Sequence, residues 1–226
     1  MKSSSPPQMP DDVEGFQKSR DRFRKRVFRL VHEGYSRLRN QGKNYTNSVE
    51  EEISHDLTEE IEKFLGADDS PRWVEKFSVY REHPISPHGE VGIQRPRLDI
   101  LIRSGEKQHC PMFVFEAKRL RYSSTKPSDY FGKKGIQCFW NEKGYPINVF
   151  REAGMLGYIQ NKDVNYWVDW LKIHFEKRRE NLHVSNQSGW DHSVQSEELQ
   201  NIFCTRHQPN VQDDIIVMFH LLLVFF

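Results

Sequence analysis

Apolar residues Phe16, Phe23, Val27, Leu30, Val31 and Leu38 recur at helical spacing and predict a first helix from Val13 to Arg39. Gly42-Lys43-Asn44 interrupts the pattern. Ser48, with Glu51 three residues on, has the form of a capping box for a second helix that runs to Leu65. Gly66 to Pro71 ends it, and a strand is expected from Phe77 to Arg81, followed by a loop from His83 to Pro96. Two β-branched and aromatic runs, Arg97 to Arg103 and Met112 to Lys118, flank a polar eight-residue link and read as a hairpin. Tyr122 to Asp129 is a polar loop. Val149 to Ile159 and Val164 to Glu180 read as helices, the first with Gly154 and Gly157 one turn apart for close packing on a sheet. The second carries a core stripe of Val164, Trp167, Val168, Leu171 and Phe175. After a break from Asn181 to Gly189, Ile202 to Arg206 and Ile215 to Phe226 are expected as strands. The order is helix, helix, three strands, two helices, two strands, without internal repeat.

Alternation in the hairpin has a chemical consequence. Glu116 and Lys118 project from one face of their strand, and Phe113, Phe115 and Ala117 from the other. Pairing Arg103 with Met112 places Asp99 opposite Glu116. Like charges so placed repel unless a cation lies between them. A divalent metal ion would supply that charge, with Lys118 beside any water or phosphate it held. The same residues also suit a buried Glu-Lys ion pair or a solvated sheet face. Their place in apolar strands, where an unpaired charge is costly, favours the metal site.

Composition narrows the class. At 226 residues and 36% hydrophobic content, the chain suits one globular domain. Met1 to Asp12, rich in Ser and Pro, is expected to be disordered and not a signal peptide. Residues 13–226 form the domain, with 13–43 as a basic helical extension and 46–226 as the core. The net charge of +1 conceals an asymmetry, because Phe16 to Lys43 carries +8 and Thr46 to Asp69 carries −8. The two segments could partly neutralise each other. Cys110, Cys138 and Cys204 are odd in number, widely spaced and without a Cys-x-x-Cys pair, which argues for a reducing cytoplasm and against structural zinc. The apolar C-terminus from Phe219 is too short to span a bilayer and reads as a buried strand, so no membrane partner is expected.

The element order, with Asp99 on the second strand and Glu116-Ala117-Lys118 on the third, resembles the restriction-endonuclease-like superfamily named for its Pro-Asp…(Asp/Glu)-x-Lys motif. The match covers Val49 to Ile159 and a late strand. Leu98 stands where the motif has Pro, with Pro96 nearby. Phe115 to Leu120, Gly135-Ile136 and Gly154 to Tyr158 are also similar to nuclease-like proteins of bacterial defence islands. The resemblance implies an α/β fold with a central mixed sheet of about five strands flanked by helices, of the αβββαβ type, plus the extra N-terminal helix. It implies a nuclease that cuts DNA more readily than RNA, in a restriction or anti-phage role, with Mg²⁺ or Mn²⁺ held by Asp99, Glu116 and the carbonyl of Ala117. Lys118 would orient water or offset developing charge. Many such nucleases add a Glu from the first core helix. On a helical wheel Glu50 is nearly central in the apolar face, whereas Glu51 and Glu52 point away, so Glu50 is the candidate. A run of acids at a helix N-terminus also serves the helix dipole, which is the competing account of it.

Arg95, Arg97, Arg119 and Arg121 bracket the hairpin, and the first helix presents Lys18, Arg22, Lys25 and Arg29; both are candidate phosphate contacts. Arg206 and His207 could also reach a phosphate. No zinc finger or Gly-rich phosphate loop is present. The alternative is an inert or partner-activated nuclease fold that binds nucleic acid or another protein of a defence system. A third possibility is a structural subunit that buries its Trp-containing helix and apolar C-terminus against another chain, and an oligomer would fit it.

Overall fold

A computed structural model describes residues 13–84, 97–105, 111–140, 151–185, 188–190, 199–209 and 215–226. Met1 to Asp12, Arg95, His88 and Cys110 lie outside these residues. Two helices come first, α1 (Val13–Asn40) and α2 (Glu50–Leu65). Three strands follow, β1 (Phe77–Pro84), β2 (Arg97–Ser104) and β3 (Met112–Leu120). A short helix α3 (Pro127–Phe131) and a 3-10 turn (Ile136–Phe139) lead toward β4 (Glu152–Ile159). Helix α4 (Val164–Glu176) and strands β5 (Ile202–His207) and β6 (Ile216–Val224) complete the chain.

The strands form one open mixed sheet of order β1-β2-β3-β4-β6-β5. β1, β2 and β3 are antiparallel in sequence; β3, β4 and β6 run parallel; β5 returns antiparallel on β6. One face buries Phe23, Val27 and Leu30 of α1 and Ile53, Leu57 and Ile61 of α2 against Ile102, Phe113, Tyr158 and Leu221. The other buries Trp167, Leu171 and Phe175 of α4, with Tyr130 and Phe131 of α3, against Val114, Met155 and Met218. The core is thus two apolar layers with the sheet between them. The basic first helix is integral to it, because Val27, Phe28, Leu30 and Val31 are all at most 2% exposed.

Two expectations fail. Of the helix expected over Val149 to Ile159, residues 152–159 are a strand and residues 149–150 lie outside the described residues; the sheet has six strands instead of about five. β4 lies between two parallel neighbours and is buried along its whole length, so both faces are apolar and the period-2 signal vanishes. Its glycines serve sheet packing: a Cβ on Gly154 would stand 2.4 Å from the Phe115 ring, closer than side chains can approach. The second failure concerns the capping box. The N-cap of α2 is Val49, which gives no side-chain cap, and Ser48 bonds instead to Glu52. The opposite charges of Phe16 to Lys43 and Thr46 to Asp69 do meet in part, where Lys43, just after α1, pairs with Glu52 at 3.0 Å and Asp56 at 2.5 Å.

Candidate functional site

The hairpin register places Ile100, Leu101, Ile102 and Arg103 opposite Phe115, Val114, Phe113 and Met112. It stops one residue short of Asp99. On the other side of β2 the pairing skips Glu82, the residue facing Asp99 in that register, which adopts a left-handed backbone with φ +46°. The ladder is therefore interrupted on both sides of Asp99. Its carboxylate is freed from facing Glu116 and accepts the backbone N–H of Ala117 at 2.7 Å.

Glu116 and Lys118 share a face of β3, as the alternation requires. Glu116 is buried, and its Oε1 accepts from Lys118 Nζ at 2.7 Å. The same ammonium donates to Glu50 Oε1 at 2.9 Å and to the carbonyl of Ala117 at 2.5 Å. Glu50 reaches this point from the first turn of α2, and its Oε2 accepts the backbone N–H of Arg119 at 2.9 Å. The wheel argument thus selected the acid that meets β3, whereas Glu51 is exposed and Glu52 turns toward Lys43. The structure brings Glu116, Glu50 and the Ala117 carbonyl together around the Lys118 ammonium, with Asp99 on the adjoining Ala117 N–H.

One lysine lies among three acids: it pairs with Glu50 and Glu116, and its charge also acts on Asp99. Burial pushes the Asp99 carboxyl up to about 6, against the pull of Lys118 and the Ala117 N–H, and Glu50 and Glu51 add to the rise. Burial alone would lower the Lys118 ammonium, but the charges of Glu116, Glu50 and Asp99 outweigh it and hold its pKa above the ordinary value. Lys118 is therefore a fixed cation and no general base near neutral pH.

A different group meets metal-ligand spacing. His55, Asp56 and Glu59 on α2 bring ligand atoms within 4.8 Å of one another, the one such group among the described residues. It is largely exposed, and Asp56 is already engaged by Lys43 and Tyr45. Asp99, Glu116 and Glu50 do not meet that spacing, with Lys118 Nζ lodged between Glu50 and Glu116.

The candidate phosphate contacts divide. Arg119 caps Ser48 with its guanidinium at 3.3 Å and stays at the site's rim. Arg121 follows on the adjoining loop, partly exposed. Arg97 is exposed and paired with Glu82 at 3.0 Å. On α1, Arg22 and Lys25 are exposed, while Arg29 reaches Glu33 at 3.7 Å and lies over the Trp73 ring. Two basic residues of that helix do other work: Arg24 and Arg20 point inward to buried Glu152 at 2.5 and 3.5 Å. His207 is fully buried and hydrogen-bonded to Thr205 and to the Leu182 carbonyl, so it is no phosphate contact.

Gln160 was not foreseen. Fully buried at the end of β4, its amide donates to the carbonyls of Tyr45 at 2.6 Å and Ser48 at 2.7 Å, and so ties the sheet to the segment that leads into Glu50. The signal was a single amide closing an apolar run, which a helical reading of that run concealed. No family model, no curated protein and no solved structure matches this chain.

Proposed function

We propose that this chain is a divalent-metal-dependent nuclease that hydrolyses phosphodiester bonds, DNA before RNA, in a restriction or anti-phage role. The observation that carries the reading is the convergence of Glu116, Glu50 and the Ala117 carbonyl on Lys118, with Asp99 held beside them on the Ala117 N–H, where β2 and β3 part. The order α2, β1, β2, β3, α3, β4 supports a restriction-endonuclease-like core, being the order that the resemblance implies.

By donor type the set suits Mg²⁺, with Mn²⁺ as a substitute, since every atom is a hard oxygen. Asp99, Glu116, Glu50 and the Ala117 carbonyl would hold the ion, which when bound supplies an activated water and charge stabilisation at the phosphate. The chain's own residues do the rest. Lys118, held charged, offsets the negative charge that develops on the phosphoryl oxygens. The Ala117 N–H fixes one oxygen of Asp99 and leaves the other for the ion. Gln160 and Arg119 position the entry to α2 and with it Glu50.

A second reading is favoured by the same lysine. Its ion pairs with Glu50 and Glu116 could close the cluster upon itself, giving an inert or partner-activated nuclease fold that binds nucleic acid or another protein. Incubating the purified chain with plasmid, linear duplex, single-stranded DNA and RNA in Mg²⁺, Mn²⁺ or EDTA separates the two. Metal-dependent cleavage that Glu116→Gln lacks is the expected result. Absence of cleavage with either metal, alongside salt-sensitive binding that the variant retains, would transfer the assignment to the inert fold. No helix among the described residues is long and apolar enough to cross a membrane.

A further inference from the structure

The loops after β3 and β4 carry a cluster that phosphodiester chemistry does not use. Tyr122, two residues beyond β3, is 60% exposed. Its backbone N–H donates to Asn161 Oδ1 at 2.9 Å, which ties this loop to the turn after β4. Tyr166, in the first turn of α4, meets Tyr122 edge to face with ring centres 5.7 Å apart. The Lys162 ammonium lies 5.0 Å from the Tyr122 ring centre and 6.0 Å from that of Tyr166.

Lys162 is exposed and holds a left-handed backbone, φ +62°. Glycine or asparagine would make this turn at lower cost, so the turn alone does not account for a lysine. Strained residues of this kind gather at functional sites, and here the strain presents a cation over two aromatic faces. Asp163, the next residue, turns one carboxylate oxygen to the Tyr166 N–H at 2.7 Å as the N-cap of α4.

β3 and β4 are parallel, so both loops leave the end of the sheet to which Lys118 and Arg119 lead. At about 3.3 Å per residue, Tyr122 stands roughly 13 Å along the chain from Lys118, within the reach of a short stretch of nucleic acid.

We infer that Tyr122, Tyr166 and Lys162 form a stacking platform for an unpaired base of a single-stranded nucleic acid. The base lies on the Tyr122 ring, and Lys162 moves from the ring face to the adjoining phosphate. Stacking tolerates any base, because each has a π-face. The inference takes its ligand class from the nuclease reading, and its test is separable from that reading.

Anisotropy of a fluorescein-labelled oligothymidine, titrated with the full chain in EDTA, measures the platform without cleavage. Tyr122→Ala is expected to weaken binding about tenfold and Tyr122→Phe to bind like the parent. Lys162→Gly is expected to weaken binding and to reduce the salt slope by about 0.7, with an unchanged or higher unfolding midpoint. Equal affinities of the parent and Tyr122→Ala, or a parent that does not bind the oligonucleotide, would overturn the platform. So would a Lys162→Gly variant that binds normally and unfolds earlier, since the lysine would then be a structural clamp. Plasmid cleavage in Mn²⁺ is scored separately. Cleavage with Tyr122-independent binding removes the platform alone; Tyr122-dependent binding without cleavage removes the nuclease reading alone.

Discussion

Two buried polar clusters stand on the same sheet and are resolved in opposite ways. At β5 and β6 a neutral chain runs from the Tyr130 hydroxyl to His220 Nδ1 at 3.1 Å, from His220 Nε2 to Thr205 Oγ1 at 2.9 Å, and from Thr205 to His207 Nε2 at 2.7 Å. It ends on the Leu182 carbonyl, 2.7 Å from His207 Nδ1. A carbonyl only accepts, so His207 carries its proton on Nδ1, Thr205 donates to His207 Nε2 and accepts from His220 Nε2–H, and Tyr130 donates to His220 Nδ1. Trp140 stacks on His207 at 4.9 Å, and the Trp190 ring lies tilted against His220 at 4.5 Å. Each ring nitrogen is satisfied without charge. The cluster at β2 and β3 is charged, and its carboxylates outnumber the cation among them. Burial of the first kind adds stability and specifies packing; burial of the second kind holds several acids around one lysine and raises the Asp99 carboxyl.

The contrast breaks most sharply by activity. Glu116→Gln should lower metal-dependent cleavage at least about a hundredfold, while its unfolding curve stays close to the parent's because Lys118 keeps Glu50 and the Ala117 carbonyl. A plasmid assay paired with urea denaturation reads both.

Acid should undo the histidine chain next. Burial holds His207 down to about 4 and His220 well below its ordinary value, with the Leu182 carbonyl pulling His207 the other way. An unfolded histidine takes its proton near 6.5, so between those values the unfolded chain binds more protons and stability falls as the pH falls. The His207 contribution is complete above pH 6.5 and lost by about pH 4, a change of about 3 kcal/mol. Thr205→Val, which removes the central hydroxyl, should cost roughly 2–4 kcal/mol at pH 7 in the same denaturation experiment.

Asp99 should behave in the reverse sense. Its carboxyl is raised from 3.8 to about 6, so the folded chain binds more protons in that window and stability is lost as the pH rises through it. Asp99→Asn should therefore stabilise the chain by roughly 2 kcal/mol at pH 8, leave it unchanged near pH 3.5, and abolish cleavage. A destabilised Asp99→Asn at pH 8 would make the cluster a structural ion-pair network. The smallest effects belong to Arg22 and Lys25: replacing either by Ala should leave stability within about 0.5 kcal/mol and reduce the salt slope of duplex binding by about 1.

Local signals were enough for much of the molecule. α1, α2 and α4 follow from their apolar spacing, and β6 from its terminal apolar run. Hairpin register follows from alternation and the length of the link, and from it the shared face of Glu116 and Lys118. Glu50 followed from a wheel, because an acid central in an apolar face must point at whatever the helix covers. Each of these rests on interactions between residues near in sequence, whose periodicity is written in the chain.

Tertiary structure decided the rest. Burial on both faces made β4 a strand where its composition read as a helix, and it carries Glu152 to Arg24 and Gln160 to the entry of α2. Pairing of β5 with β6 set Thr205, which bonds His207 on its own strand, against His220, and burial withdrew His207 from any phosphate. The pairing of β2 with β3 ends before Asp99, whose carboxylate rests on the Ala117 N–H, while Lys118 pairs with Glu116 on its own strand and with Glu50 from α2. The sequence by itself determined which residues share a face. Which faces meet, and so which charges are compensated, depends on contacts between residues far apart in the chain, whose energies no local pattern encodes.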